Sequence, residues 1–169
     1  LSLIECKTYH IANKESQTKM MDHKTKVVEL ENALNEDYNV LSRWNLPSLM
    51  EVFKSNRQRE YPQNIFSLGK VFSVDKDQDT GIREEEHLTC ALCDDKVDFT
   101  KIKQVLDYLM RMTGKEYWIE ETDHDSFITG RVGKVFIDGE EEGIIGEVHP
   151  KVLLNWELEY PVATFEIRI

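Results

Sequence analysis

Pro62-Gln-Asn-Ile65-Phe66-Ser-Leu68-Gly-Lys-Val71-Phe72-Ser-Val74 and, after an acidic stretch, His87-Leu-Thr-Cys90-Ala-Leu-Cys93 decide how this sequence folds. Pro62 punctuates the chain, and Ile65, Phe66, Leu68, Val71, Phe72 and Val74 form an apolar, β-rich run that reads as a buried strand. His87 to Cys93 reads as a strand returning antiparallel beside it.

Working upstream, a helix is expected from Asn45 to about Asn56. Pro47 sits in its first turn, where a missing N–H costs little, and Leu46, Leu49, Met50 and Phe53 share one face. Cys6 to Ile11 alternates polar and apolar side chains as a strand does, and Asn13 offers an N-cap for a short helix through about Met21. Downstream, Asp98 caps a helix whose Phe99, Ile102, Val105, Leu106, Leu109 and Met112 recur at three- and four-residue spacing until Gly114 stops it. Strands follow near Tyr117–Glu121, Val132–Ile137 and Gly143–Val148, then a short helix after Pro150 and a closing strand at Val162–Ile167. Strands joined by hairpins with helices set between them define an α+β class, a mainly antiparallel sheet flanked by helices. No repeat or linker divides the chain, so residues 1–169 are expected to form one domain.

The 169 residues suffice to bury roughly 70% of the surface of the unfolded chain. With 40% apolar and 31% charged residues and little Pro or Gly, disorder and low complexity are excluded. No uncharged apolar run approaches the ~20 residues of a membrane span. The start, Leu1 to Lys7, lacks the features of a signal peptide. Three cysteines, an odd number, argue against a disulfide framework and for a reducing, cytoplasmic setting. The chain opens on Leu1, and a piece of a longer protein is expected. Acidic residues outnumber basic ones 32 to 21, and the resulting net charge of −11 opposes autonomous binding to nucleic acid. Basic clusters at Lys24–Lys26 and Arg57–Arg59 lack interleaved aromatics and read as solvated surface.

Several groupings could carry chemistry. Asp75, Asp77, Asp79 and Glu86 hold the first, third, fifth and twelfth places of a calcium loop, but the sharp-turn glycine is Gly81, one place late, and strands flank the loop where helices are required. A solvated hairpin loop is expected. Cys90 and Cys93 form a CxxC pair on a strand, where positions three apart point to opposite faces and cannot chelate one ion. Asp123, His124 and Asp125 beside Ser126 read as a polar turn, and Glu140 to Glu142 after Asp138 and Gly139 as a hairpin tip. His149 before Pro150 reads as a structural histidine at a strand end.

Residues 39–56 (NVLSRWNLPSLMEVFKSN), 60–72 (EYPQNIFSLGKVF), 84–92 (EEEHLTCAL), 98–109 (DFTKIKQVLDYL) and 143–167 (GIIGEVHPKVLLNWELEYPVATFEI) follow one another in an order that resembles the C-terminal part of the phenylalanyl-tRNA synthetase β subunit, archaeal and eukaryotic cytosolic type. The resemblance runs from Ile4 to Ile167, and GIIGEVHP with PVATFEI is its most specific part. It implies a class II synthetase catalytic-like module that has lost catalysis, the α subunit keeping it. A working class II site resembles FRxE on the first strand of its second motif, where this chain has Phe66, Ser67, Leu68 and Gly69. The third motif needs an arginine opening a helix after a glycine-bearing strand; here Gly143, Gly146 and Glu147 lead to His149 and Pro150. The family's LRTSLLP stretch is Leu41, Ser42, Arg43, Trp44, Asn45, Leu46 and Pro47 here. The arginine is displaced by one position, so no role is carried over to Arg43.

By that resemblance, no catalytic, cofactor-binding or metal-ligating residue is expected in this segment. The magnesium site associated with such β subunits falls upstream, and ATP and magnesium belong to the whole enzyme. The expected function is a structural and subunit-assembly module of an α₂β₂ phenylalanine–tRNA ligase, which attaches phenylalanine to tRNA(Phe) using ATP. The alternatives are a free-standing regulatory or RNA-binding module on the same fold, and an independent enzyme or calcium-binding domain. A module that buries a face against the α subunit should expose an apolar patch. Leu49, Phe53 and Trp156 are candidates for it, or else simple core residues.

Overall fold

A computed structural model describes residues 2–33, 35 and 37–169 of the chain. Its centre is the expected pair of long strands, β4 (Gln63–Val74) and β5 (Ile82–Cys93), antiparallel from Gln63 opposite Cys93 to Val74 opposite Ile82. Outside β4 lies β1 (Ile4–Glu5), parallel to it. On the other side of β5 the closing strand β9 (Val162–Arg168) is followed by β8 (Glu140–Val148), β7 (Phe127–Ile137) and β6 (Tyr117–Glu121), each antiparallel to its neighbour. The sheet order β1-β4-β5-β9-β8-β7-β6 puts the last strand of the chain in the middle. Its Val162–Ile167 pattern is buried on both sides, as a central strand requires.

Helices cover both faces. On one, α2 (Leu46–Asn56) and α4 (Pro150–Asn155) pack Leu46, Leu49, Met50, Phe53 and Val152 against Ile65, Ala91, Cys93, Val148 and Val162. On the other, α3 (Phe99–Thr113) packs Ile102, Val105, Leu106 and Met110 against Cys90, Leu92, Ile145, Ala163 and Phe165. Each Val, Leu, Ile, Phe or Met among them contributes about 1.5–3 kcal/mol when fully buried. Asp98 caps α3 by accepting the Lys101 N–H at 2.8 Å, and Gly114 ends it in the left-handed conformation, φ 69°, that a residue with a Cβ resists.

The N-terminal region departs from the expected strand and helix. The run from Cys6 to Ile11 does not form the expected strand but links two sheets: Ile4–Glu5 just before it lie on β4, whereas β2 (Ile11–Ala12) at its end pairs with β3 (Val40–Leu41) in a separate small sheet. The Cys6 N–H donates to the Phe66 carbonyl at 2.7 Å, and the Ser42 N–H donates to the His10 carbonyl at 2.9 Å. Asn13 caps α1 (Lys14–Gln17) through the N–H groups of Glu15 and Ser16, as expected, but the helix stops at Gln17 rather than near Met21. Gln17 is wholly buried, its Oε1 accepts the N–H groups of Arg43 and Trp44, and its carbonyl accepts the Trp44 indole N–H. A tertiary contact therefore ends the helix.

Leu49, Phe53 and Trp156, the candidates for an exposed apolar patch, are 0%, 0% and 1% exposed and belong to the core beneath α2 and α4. Core packing claims all three. The large apolar side chains left in solvent include Leu68, Tyr108, Met112 and Leu154.

Candidate functional site

The sheet face under α2 changes character along its length. Toward Cys93 and Val162 it is apolar; toward the other end Ser67, Gly69, Thr89, His87, Thr164 and Glu166 take the same alternate positions on β4, β5 and β9. Here the N-terminus of α2 meets the sheet. The Glu166 carboxylate, 4% exposed, accepts the Asn45 N–H at 3.0 Å, the Leu46 N–H at 2.9 Å and a hydrogen bond from His87 Nδ1 at 2.9 Å. Asn45 itself does not cap the helix. Its side-chain amide donates across the sheet, to the carbonyls of Gly69 at 3.2 Å and His87 at 3.3 Å.

A helix N-terminus attracts anions through its unpaired N–H groups and its dipole. In this chain that place is taken by the protein's own carboxylate. Two nearby cations are committed: Arg168 holds Glu142 at 2.5 and 2.9 Å and Glu85 at 3.1 Å, and its already high pKa is raised further by those hydrogen bonds. Lys134 pairs with Glu141 at 2.8 Å. Phe66 to Gly69 offers no cation, and a side chain at Gly69 would come within 3.3 Å of the Asn45 amide. The α2 N-terminus, Arg168 and Lys134, donors of the kind that phosphates need, are here engaged by Glu166, Glu142, Glu85 and Glu141, while Arg43, which lines the same hollow, forms no ion pair among the described residues.

Glu147 on β8 mirrors Glu166 on the opposite face. It accepts the Phe99 N–H at the start of α3 at 2.8 Å and pairs with Arg131 at 2.7 Å. Gly143 and Gly146, read as motif glycines, are set by packing. A Cβ at Gly143 would lie 2.0 Å from the Glu166 carbonyl oxygen of β9, and one at Gly146 would lie 2.8 Å from the Phe127 ring.

The other sequence candidates are placed as follows. In the acidic hairpin, Asp75 accepts the Asp77 N–H and pairs with Arg83 at 2.5 Å, which together hold its carboxyl below the usual range. Gly81 turns with φ 71°, and Asp77, Asp79 and Glu86 are not gathered around a common point. Among the described residues no group of three or more His, Cys, Asp or Glu side chains is placed to hold a metal ion. Cys90 lies in the core under α3 and Cys93 in the core under α2, on opposite faces, and burial pushes each thiol up to about 12. His149 caps α4, its Nδ1 accepting the Lys151 N–H at 3.1 Å.

His124 is not a lone turn residue. Its ring stacks on His23 at 4.2 Å between Trp44 and Phe127, and its pKa is pulled down to about 4, first by burial and then by the neighbouring His23. Nothing in the spacing of His23 and His124, some hundred residues apart, foretells the stack. Glu166 did leave a signal, a carboxylate inside an otherwise apolar strand, which a buried strand tolerates only if the charge is partnered.

The fold and this carboxylate-sealed surface define an α+β module with its sheet covered on both faces. A family model described as the phenylalanyl tRNA synthetase beta chain CLM domain matches residues 1–169. Phenylalanine–tRNA ligase beta subunits from Pyrococcus abyssi and Thermococcus sibiricus are 47% and 44% identical over 166 residues, 98% of this chain and 30% of theirs. The beta subunit from Methanocella arvoryzae is 43% identical over 144 residues, 84% of this chain and 26% of its own. The chain thus belongs to the phenylalanyl-tRNA synthetase β-chain family, and it spans about 30% of the length of the curated relatives from Pyrococcus and Thermococcus.

Proposed function

We propose that this segment is a non-catalytic structural and assembly module of a phenylalanine–tRNA ligase β subunit. In this reading it keeps a class II-like sheet as one domain and packs against an α subunit in an α₂β₂ enzyme of the cytoplasm. The whole enzyme would join phenylalanine to tRNA(Phe) with ATP and magnesium, the chemistry residing outside this segment. The observation that carries the reading is Glu166, a buried carboxylate seated at the N-terminus of α2 where a phosphate-binding site would keep that terminus open. Among the described residues no helix is long and apolar enough to cross a membrane.

Two measurements test it. The β subunit by itself gives no phenylalanine-dependent exchange of pyrophosphate into ATP, and in the assembled enzyme Glu166→Gln leaves the exchange rate per intact tetramer within about twofold. Exchange by the β subunit alone, abolished by His87→Ala, would refute the non-catalytic reading. For assembly, Leu68, Tyr108 and Met112, exposed on the α3 side, supply apolar surface. Replacing them with Asp in the full-length β subunit should weaken association with α in sedimentation experiments by tenfold or more. Unchanged association sinks the proposed face.

A further inference from the structure

The cluster Lys24–Lys26, read as solvated surface from the sequence, is completed in space by two distant cations. Lys24, Thr25, Lys26, Arg43, Ser73, Val74 and Lys76 line one concavity of about 380 Å³. Among the described residues no carboxylate lines it. Among the described residues, none of the four cations forms an ion pair. Of the two acids that flank Lys76 in sequence, Asp75 is turned to Arg83 and Asp77 does not line the concavity. The other basic cluster shows the contrast, because there Lys54 and Arg57 both converge on Glu157.

The arrangement is held by backbone rather than by chance meeting of side chains. The Phe72 N–H donates to the Ser42 carbonyl at 2.8 Å, which fixes Arg43 beside Ser73, and the Arg43 N–H is anchored on Gln17 Oε1 at 2.8 Å. The Leu41 N–H donates to the Val28 carbonyl at 2.9 Å, and His23 packs on Trp44, so the 24–26 stretch is set against the same segment. In a chain of net charge −11, four cations without an ion pair among the described residues line one concavity, where like charges repel one another. An anion relieves that repulsion. Arg43 offers a planar fork, the lysines offer mobile point charges, and Thr25 and Ser73 offer hydroxyl donors, a set suited to phosphate oxygens.

We infer that this concavity binds phosphate groups, either those of a free polyphosphate or those of a polynucleotide backbone, a role beyond assembly. The test uses the full-length β subunit assembled with its α subunit. Amine acylation of Lys24, Lys26 and Lys76 is read by mass spectrometry at 50 mM salt, with inorganic tripolyphosphate or a 12-nucleotide single-stranded RNA added. Exposed Lys7 and Lys96 serve as controls. At least one probe should slow acylation of the three lysines fivefold or more while sparing the controls. For RNA, the apparent affinity should fall with a log–log salt slope of about 0.7 for each phosphate neutralised. Protection by tripolyphosphate assigns a free-phosphate site, and protection by RNA alone assigns a backbone site. Arg43→Ala, which carries no labelled amine, should lower the affinity about tenfold, and Lys76→Ala on the exposed hairpin should do so without touching the packed segment. Absence of protection by both probes, protection equal at Lys7 and Lys96, or protection unchanged in both variants overturns the inference. Subunit assembly is scored separately in the same samples, so failure here leaves the assembly reading standing.

Discussion

Glu166 and Glu147 occupy equivalent roles on opposite faces of one sheet, each a strand carboxylate turned toward the first N–H groups of a helix, yet they are built very differently. Glu147 supplements a helix that already has its own cap, Asp98, and shares its charge with Arg131, whose side chain is 58% exposed. Glu166 replaces a missing cap, because Asn45 spends its amide on the sheet carbonyls, and it takes three donors in a nearly dry setting. The difference teaches where removal hurts: an acceptor matters in proportion to the buried donors it would orphan.

Gly143→Ala should produce the largest effect, since its methyl group would sit inside the β9 backbone behind Glu166 and force β8 away. A loss of about 4 kcal/mol or failure to fold is expected by analogy with overpacked cores, read by denaturant melts. Glu166→Ala strands two buried N–H groups and His87, and should cost about 3–4 kcal/mol, with Glu166→Gln milder because one acceptor oxygen survives. Glu147→Ala, in contrast, should cost about 1 kcal/mol, as Asp98 still caps α3. Equal losses for the two alanine variants would break the comparison.

The His23–His124 stack provides a test by pH. Burial lowers the pKa of both, His124 to about 4, so the unfolded chain binds protons that the folded one refuses. Asp125 opposes the shift at both rings, and Arg43 reinforces it at His23. Stability contributed by the neutral pair is therefore complete above about pH 6.5 and falls as the pH drops toward 4, by about 2 kcal/mol after allowance for partial exposure. His124→Phe should flatten that part of the stability–pH curve. The smallest effect concerns the thiols: at pH 8 native protein should take up iodoacetamide at Cys6, which is half-buried, before Cys90 or Cys93, whose pKa values near 12 leave almost no thiolate. Modification of Cys90 at a rate matching Cys6 would contradict its placement in the core under α3.

The sequence alone determined the long elements. α2, α3, the β4–β5 pair and the closing strand are legible because each carries a complete hydrophobic period and its own punctuation, such as Pro47, Asp98 and Gly114, and these act within a few residues. The opposite facing of Cys90 and Cys93 follows equally from strand alternation. Tertiary structure alone decided the early end of α1 at Gln17, the sharing of residues 4–12 between two sheets, and the burial of Leu49, Phe53 and Trp156 that left none of them for an interface. It also brought His23 to His124 and Lys24–Lys26 to Arg43 and Lys76. Periodicity records which face a residue presents to its own element; which distant partner that face meets depends on strand order and on buried donors finding acceptors, and neither is written at any spacing along the chain.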